Sequence, residues 1–151
     1  MTEGSQTPSP LTRLLAWGQA HPASAFGAFL ALALIVTHPG IFFGTKALFF
    51  RDYGVLGYGF VDYYRDSLLA GELPLWNPYS DSGAPFLAQW GTMVLYPPSL
   101  LMVLFPMPWS LGFFCLLHFW IGGMGMRKLA MDLKLGGFAA ALAGTLYIFN
   151  G

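Results

Sequence analysis

The sequence predicts an all-α, polytopic membrane protein with a long, partly helical extracytoplasmic first loop. Hydrophobic residues make up 56% of the chain and charged residues only 9%, whereas soluble domains carry roughly 25% charged residues. Apolar segments long enough for the bilayer recur along the chain, and helices satisfy their own backbone polar groups inside lipid. The net charge is zero, so no basic surface indicates a nucleic-acid partner. The expected partner is the lipid bilayer.

Three apolar segments are the predicted transmembrane helices. Residues 23–43 form the first, with about 21 residues against the ~20 needed to cross the hydrocarbon. A cleaved signal peptide is the alternative for this segment, but the later spans favour an uncleaved anchor. Residues 108–126 form the second span. Residues 135–151 form the third, which we expect to be truncated because no polar tail follows it.

The third span carries small residues at four-residue spacing. Gly136, Ala140 and Gly144 would let helices approach backbone to backbone in a membrane. We expect this face to meet the remaining helices of a longer chain, because only three spans are available within the sequence.

The charges of the loops predict the orientation. Residues 44–92 hold three cations and five acids, whereas residues 127–134 hold three cations and one acid. The positive-inside rule places the short basic loop in the cytoplasm. Residues 1–22 are then a cytoplasmic N-terminal segment, and residues 44–107 form an extracytoplasmic loop.

The first loop contains the most informative motif of the chain. It reads Gly71-Glu72-Leu73-Pro74-Leu75-Trp76-Asn77-Pro78-Tyr79. Each proline fixes its own φ and keeps the preceding residue out of helical space, which predicts a rigid, extended strip. Trp76 and Tyr79 are amphipathic rings suited to the headgroup layer. The strip is either an interfacial anchor or the wall of a substrate groove, and the residues alone favour neither.

Two further helices are predicted within the loop. Residues 61–70 form the first, with Gly71 suited to its C-terminal cap. We interpret its charged residues as a solvated face: Asp62, Arg65 and Asp66. Residues 97–105 are apolar, flanked by prolines and too short to cross, so they predict an interfacial helix.

Two ionisable residues have both a functional and a structural interpretation. Asp52 follows the first span closely, where a partly desolvated carboxylate can serve as a general base. The alternative, which the residues alone favour, is an interfacial carboxylate that pairs with Arg51 or Lys46. His118 lies in the middle of the second span, which suggests function by default, but a neutral imidazole bonded to a neighbouring helix is the simpler interpretation.

The order of motifs in residues 45–105 resembles the start of the YfhO-type bacterial membrane protein family, within the GT-C class of integral-membrane glycosyltransferases. The resemblance rests on Asp52, on the strip described above, on Gly83-Ala84-Pro85-Phe86 and on Leu95-Tyr96-Pro97. Members of this family are several times longer. The resemblance therefore implies the N-terminal part of a multi-pass enzyme of the bacterial cytoplasmic membrane.

The resemblance also implies an activity. Enzymes of the GT-C class transfer a sugar from a polyprenyl-phosphate donor, here to an extracytoplasmic acceptor, and Asp52 would be the general base. We assign Arg51 and Arg65 to the lipid phosphate, because the planar guanidinium suits phosphate. The other substrate-binding residues that we predict are Trp76, Asn77 and Tyr79.

No metal and no cofactor are predicted. Tyr53 and Gly54 follow Asp52 where a paired acidic motif would hold a metal ion. The alternative function is that of a non-catalytic multi-pass scaffold or flippase-like protein, in which the strip is only an anchor.

Overall fold

The computed structural model of the chain describes residues 9–49, 52–80 and 82–150. Every regular element in these ranges is helical and none is a strand, which confirms the predicted all-α class. The chain divides into two compact units. One is Ile35–Phe119, and the other combines the described residues of Met1–Leu34 and Trp120–Gly151.

The helices follow the apolar segments and the first loop in chain order. They are α1 Pro10–Ala20, α2 Pro22–Thr37, α3 Pro39–Phe42, α4 Tyr58–Leu69, α5 Leu100–Leu104, α6 Trp109–Asp132 and α7 Gly137–Phe149. Three shorter turns accompany them: a π-helical turn at Tyr53–Gly57 and 3₁₀ turns at Trp90–Thr92 and Pro97–Ser99.

The segment predicted as one span, residues 23–43, is interrupted at His38. Helix α2 ends at Thr37 and the short helix α3 begins at Pro39. His38 has φ −126° and ψ 48°, because the proline ring that follows disfavours helical geometry at the preceding residue. The first span therefore differs from the continuous helix that the sequence predicts.

Helix α6 extends beyond its predicted end. The sequence predicts a span over 108–126 and a loop over 127–134, whereas the helix continues to Asp132. The exposed pair Lys128 and Asp132, with an N–O distance of 2.8 Å, lies in its last turns. Such an i, i+4 pair supports a helix by only a few tenths of a kcal/mol.

Close packing of α6 against α7 organises the unit formed by the two ends of the chain. A Cβ atom on Gly144 would lie 2.6 Å from the carbonyl oxygen of Gly123 and 2.9 Å from the Phe26 ring. Ala140 and Gly144 are buried, whereas Gly136 is exposed. The prediction that this face awaits helices beyond the sequence is therefore wrong for Ala140 and Gly144, which pack within the chain.

Helix α4 is the centre of the other unit, Ile35–Phe119. Its apolar face packs against α5, the start of α6 and the loop before them. Two clusters of buried side chains result, one of Val61, Met102, Leu111 and Phe114, and the other of Tyr64, Phe86 and Val103. The predicted interfacial helix over 97–105 is a 3₁₀ turn followed by α5.

Two long hydrogen-bonded links join the segment before α4 to this core. The indole Nε1 of Trp109 donates to the carbonyl oxygen of Phe42 at 2.7 Å. The Tyr58 hydroxyl donates to the carbonyl oxygen of Leu48, also at 2.7 Å. Burial raises the pKa of Tyr58, and the nearby Cys115 raises it further, so this hydroxyl keeps its hydrogen and its donor role.

Length and composition identify one helix in the described residues that could cross a membrane, α6 with 24 residues. A second is counted if α1 and α2, which are bent by 113° at their junction, form one broken span. Helix α7 is apolar but shorter. The core helix of a water-soluble protein meets the same criteria, so a multi-pass membrane protein is part of the proposal below.

Candidate functional site

Two cavities lie on either side of the first turn of α4, and both are lined by Leu56 and Phe60. The larger has a volume of about 660 Å³ and the smaller about 310 Å³. Of the predicted site residues, Asp52 lines the larger cavity, and Asn77 and Tyr79 line the smaller one.

Asp52 lies directly before an irregular helical turn that leads into α4. The π-helical turn Tyr53–Gly57 follows it directly and continues into α4. π-Helical turns are rare in proteins overall, but those that occur are often found at functional sites. The Asp52 side chain is exposed, which differs from the partly desolvated position predicted for it.

The larger cavity is mainly apolar. Its lining side chains without polar groups are Leu56, Phe60, Val61, Ala88, Met93 and Leu111. The polar residues that line it are Asp52, Gln89 and Thr92. The Thr92 hydroxyl bonds to the carbonyl oxygens of Phe86 at 3.0 Å and Gln89 at 2.8 Å. Asp52 and Gln89 therefore offer the side-chain polar groups that a ligand could reach.

The proline-rich strip is ordered by a hydrogen bond from α4 and by a backbone pair with the loop that follows it. The Tyr63 hydroxyl donates to the carbonyl oxygen of Trp76 at 2.6 Å. Asn77 and Ala84 exchange two backbone hydrogen bonds of 2.8 and 2.9 Å across the turn between them. Pro74 is fully buried, while Leu73 is 56% exposed. The strip is therefore an ordered part of the fold with one side turned inward.

Asn77 has a structural role in the strip. Its side chain is buried, its Oδ1 accepts a hydrogen bond from the Tyr79 backbone at 2.9 Å, and its Nδ2 donates to Ser80 Oγ at 3.0 Å. Such an Asx turn occupies both ends of the amide. This arrangement differs from the substrate-binding role predicted for Asn77.

The smaller cavity brings together residues that the sequence does not connect. Asp62 and Asp66 line it from α4, and Tyr79 at the end of the strip and Ser80 directly after it line the other side. We predicted the two aspartates to be a solvated helix face. Their i, i+4 spacing predicts a shared face, but nothing in the sequence predicts that the strip folds over it.

The remaining predicted site residues lie away from both cavities or outside the described residues. Arg65 is half-buried on α4, and its buried Nε has no hydrogen-bond partner among the described residues. Trp76 is half-exposed and covers Gly83, where a Cβ atom would lie 2.7 Å from the indole Nε1. Arg51 lies outside the described residues, so its predicted pairing and phosphate role stay predictions.

His118 is bonded at both ring nitrogens. Nδ1 lies 2.7 Å from the carbonyl oxygen of Phe114, and Nε2 lies 2.7 Å from the Tyr96 hydroxyl. A carbonyl oxygen can only accept, so Nδ1 carries the hydrogen, and in the neutral ring the Tyr96 hydroxyl donates to Nε2. This geometry favours the structural interpretation of His118.

Metal-binding residues are not clustered in the part of the chain that the structure describes. No group of three or more His, Cys, Asp or Glu side chains there could hold a metal ion. Comparisons of the chain with models of protein families, with curated proteins and with solved structures found no match. The geometry of the two cavities is therefore the main guide to function.

Proposed function

We propose that this chain is the N-terminal part of a bacterial membrane glycosyltransferase of the YfhO type, in the GT-C class. The enzyme moves a sugar from a polyprenyl-phosphate donor to an acceptor on the extracytoplasmic side. The observation that carries the proposal is the position of Asp52, which lines a cavity of about 660 Å³. The motifs that resemble the family surround the same helix, α4.

Asp52 has a simple role in the proposed reaction. The acceptor hydroxyl oxygen forms a bond to the anomeric carbon of the sugar, and Asp52 takes the hydroxyl proton. The bond between the anomeric carbon and the phosphate oxygen breaks, and the polyprenyl phosphate leaves with the electron pair. A positioned general base contributes about 10²–10⁴-fold to such a step.

The developing charge on the phosphate needs a cation nearby. Arg65 on α4 is one candidate, because its buried Nε has no hydrogen-bond partner among the described residues, although its side chain does not line the cavity beside Asp52. Arg51 is the second candidate and precedes Asp52 directly in the sequence. The guanidinium groups would bind the phosphate oxygens in a bidentate manner.

The proposal places the chain in the cytoplasmic membrane with several spans. Helix α6, with its 24 residues, is long enough to cross alone. The opposite charge of the loops supports an outward position for the cavities and the strip. Helices beyond this sequence would complete the enclosure of the lipid-linked donor.

A non-catalytic scaffold or flippase-like protein is the second candidate. The observation in its favour is the exposure of apolar side chains along the strip, with Leu75 at 57% and Trp76 at 55%. These side chains fit a surface that lies in the headgroup layer. An anchored strip is compatible with either function, whereas a carboxylate that lines a cavity supplies the general base that only the first requires.

A reconstitution experiment tests the proposed function. The full-length protein is placed in lipid vesicles with a labelled sugar on polyprenyl phosphate and a mixture of envelope lipids as acceptors. We expect labelled product to form with the protein and not in matched protein-free vesicles. If label stays on the polyprenyl phosphate in both, the glycosyltransferase proposal is wrong and the scaffold is favoured.

A further inference from the structure

We infer that the larger cavity binds an amphiphilic acceptor, which is a hydroxyl-bearing lipid or glycolipid and not a free sugar or a polysaccharide. The inference deepens the proposed function and rests on it in one respect: the bound amphiphile is an acceptor only in a glycosyltransferase. The binding of an amphiphile in this cavity can be measured without any sugar transfer. The apolar part of the amphiphile would contact one wall of the cavity, which is formed by Leu56, Phe60, Val61, Met93 and Leu111.

The composition of this wall is the first argument. A free sugar presents hydroxyl groups in every direction, and a hydroxyl placed against hydrocarbon without a partner loses its hydrogen bonds to water. The aliphatic and aromatic side chains of the larger cavity offer no such partners. A hydrocarbon chain, in contrast, gains from leaving water for such a surface.

The position of the polar groups is the second argument. Asp52 is exposed, Gln89 is half-buried, and both line the same cavity. Among the described residues no partner engages the Gln89 amide, which can both donate and accept hydrogen bonds. Gln89 is therefore suited to orient a hydroxyl group toward the Asp52 carboxylate, as a positioning residue.

The smaller cavity provides the contrast. Asp62, Asp66, Tyr79 and Ser80 line it beside Leu56 and Phe60, so a larger share of its lining is polar, and its volume is about 310 Å³ against about 660 Å³. A hydrocarbon chain that entered it would remove the water from two carboxylates without replacing their hydrogen bonds. The apolar part of an acceptor therefore belongs in the larger cavity.

Two glycines allow a matched test. A Cβ atom on Gly91, which lines the larger cavity, would meet no atom within 4 Å, and the same holds for Gly59, which lines the smaller one. Each position therefore accepts a Cβ atom, and Gly91→Leu and Gly59→Leu each add bulk to the lining of one cavity. The first substitution should exclude the amphiphile, and the second is its control.

The probe is an alkyl glucoside with a photoreactive diazirine in its alkyl chain, applied to the full chain in lipid nanodiscs. We expect labelling in residues 88–93 and at Leu111. It should be competed by octyl glucoside below its micelle-forming concentration but not by glucose. Gly91→Leu should reduce this labelling about tenfold, whereas Gly59→Leu should retain it.

Gln89→Leu provides a second measurement that does not depend on filling the cavity. It should weaken labelling by the alkyl glucoside several-fold but leave labelling by an alkyl methyl ether of equal length unchanged. Equal effects on the two probes would overturn the role of Gln89. Labelling that Gly91→Leu leaves intact, or that glucose competes as well as octyl glucoside does, would overturn the inference.

The failure of the inference and that of the proposed function are distinguishable. Labelling that depends on Gly91 in a protein that transfers no sugar supports the amphiphile site and contradicts the glycosyltransferase. Transfer to free sugars together with labelling that is insensitive to Gly91→Leu contradicts the amphiphile site alone.

Discussion

The Tyr63 hydroxyl donates a hydrogen bond of 2.6 Å to the carbonyl oxygen of Trp76. This bond joins the middle of α4 to the middle of the proline-rich strip, 13 residues further along the chain. The Tyr63 ring also packs edge-on against Phe86, with ring centres 4.9 Å apart, and against Tyr79 at 6.1 Å. Tyr63 therefore holds the strip beside the smaller cavity.

We expect Tyr63→Phe to loosen the strip while leaving α4 folded. The substitution keeps the ring contacts and removes one hydrogen bond, which costs about 1 kcal/mol. Limited proteolysis of the outward-facing protein should cut within residues 71–87 several-fold faster than in the wild type.

Tyr79→Phe is the matched control for this test. Tyr79 is 86% exposed, and no hydrogen bond of its hydroxyl to a described residue is present, so its loss should change proteolysis little. Equal cutting of Tyr63→Phe and Tyr79→Phe would show that the bond to Trp76 does not hold the strip.

Gly144→Ala should destabilise the unit that contains α6 and α7. The added methyl would lie 2.6 Å from the Gly123 carbonyl oxygen and 2.9 Å from the Phe26 ring, and overpacking of this kind costs about 1–3 kcal/mol. Thermal unfolding in mild detergent, followed by circular dichroism, measures the loss. Gly137→Ala on the same helix meets open space and should be neutral. A similar melting temperature for both variants would mean that α6 and α7 do not pack closely at Gly144.

The orientation in the membrane can be measured with single cysteines. In a Cys115→Ala background we expect an impermeant reagent added outside to label Ser82→Cys and not Lys134→Cys. Both native side chains are exposed, so accessibility depends on the side of the membrane. The reverse labelling pattern would exclude outward-facing cavities and with them the proposed function.

Some local features were predictable because they depend on near neighbours in the sequence. Gly71 ends α4 with φ +78°, as the capping preference of glycine predicts. The all-α class followed from composition. The start of α4 was not predicted, because glycines around residues 54–59 disfavour a helix while a distant bond from Tyr58 to the Leu48 carbonyl supports it.

The site was less predictable because its parts come together through distant contacts. Asp52 was predicted as a site residue but in a partly desolvated position, and the cavity beside it requires Leu111 and residues 88, 89 and 91–93, which no local pattern connects to Asp52. Asp62 and Asp66 line a cavity together with Asn77 and Tyr79 of the strip, which Tyr63 bonds to α4. Gln89 had no sequence signal, since a single glutamine in a loop has no distinctive spacing.

The most direct test of the central claim is sugar transfer by Asp52→Asn in the full-length protein, reconstituted with a labelled polyprenyl-phosphate sugar. The substitution keeps the shape of the side chain and removes the base, so transfer should fall by roughly 10²–10⁴ at unchanged expression. Asp62→Asn and Asp66→Asn, which alter only the smaller cavity, should retain most of the activity. Near-normal transfer by Asp52→Asn would contradict the account. If Asp62→Asn or Asp66→Asn were inactive in the same assay, the catalytic carboxylate would instead lie on α4.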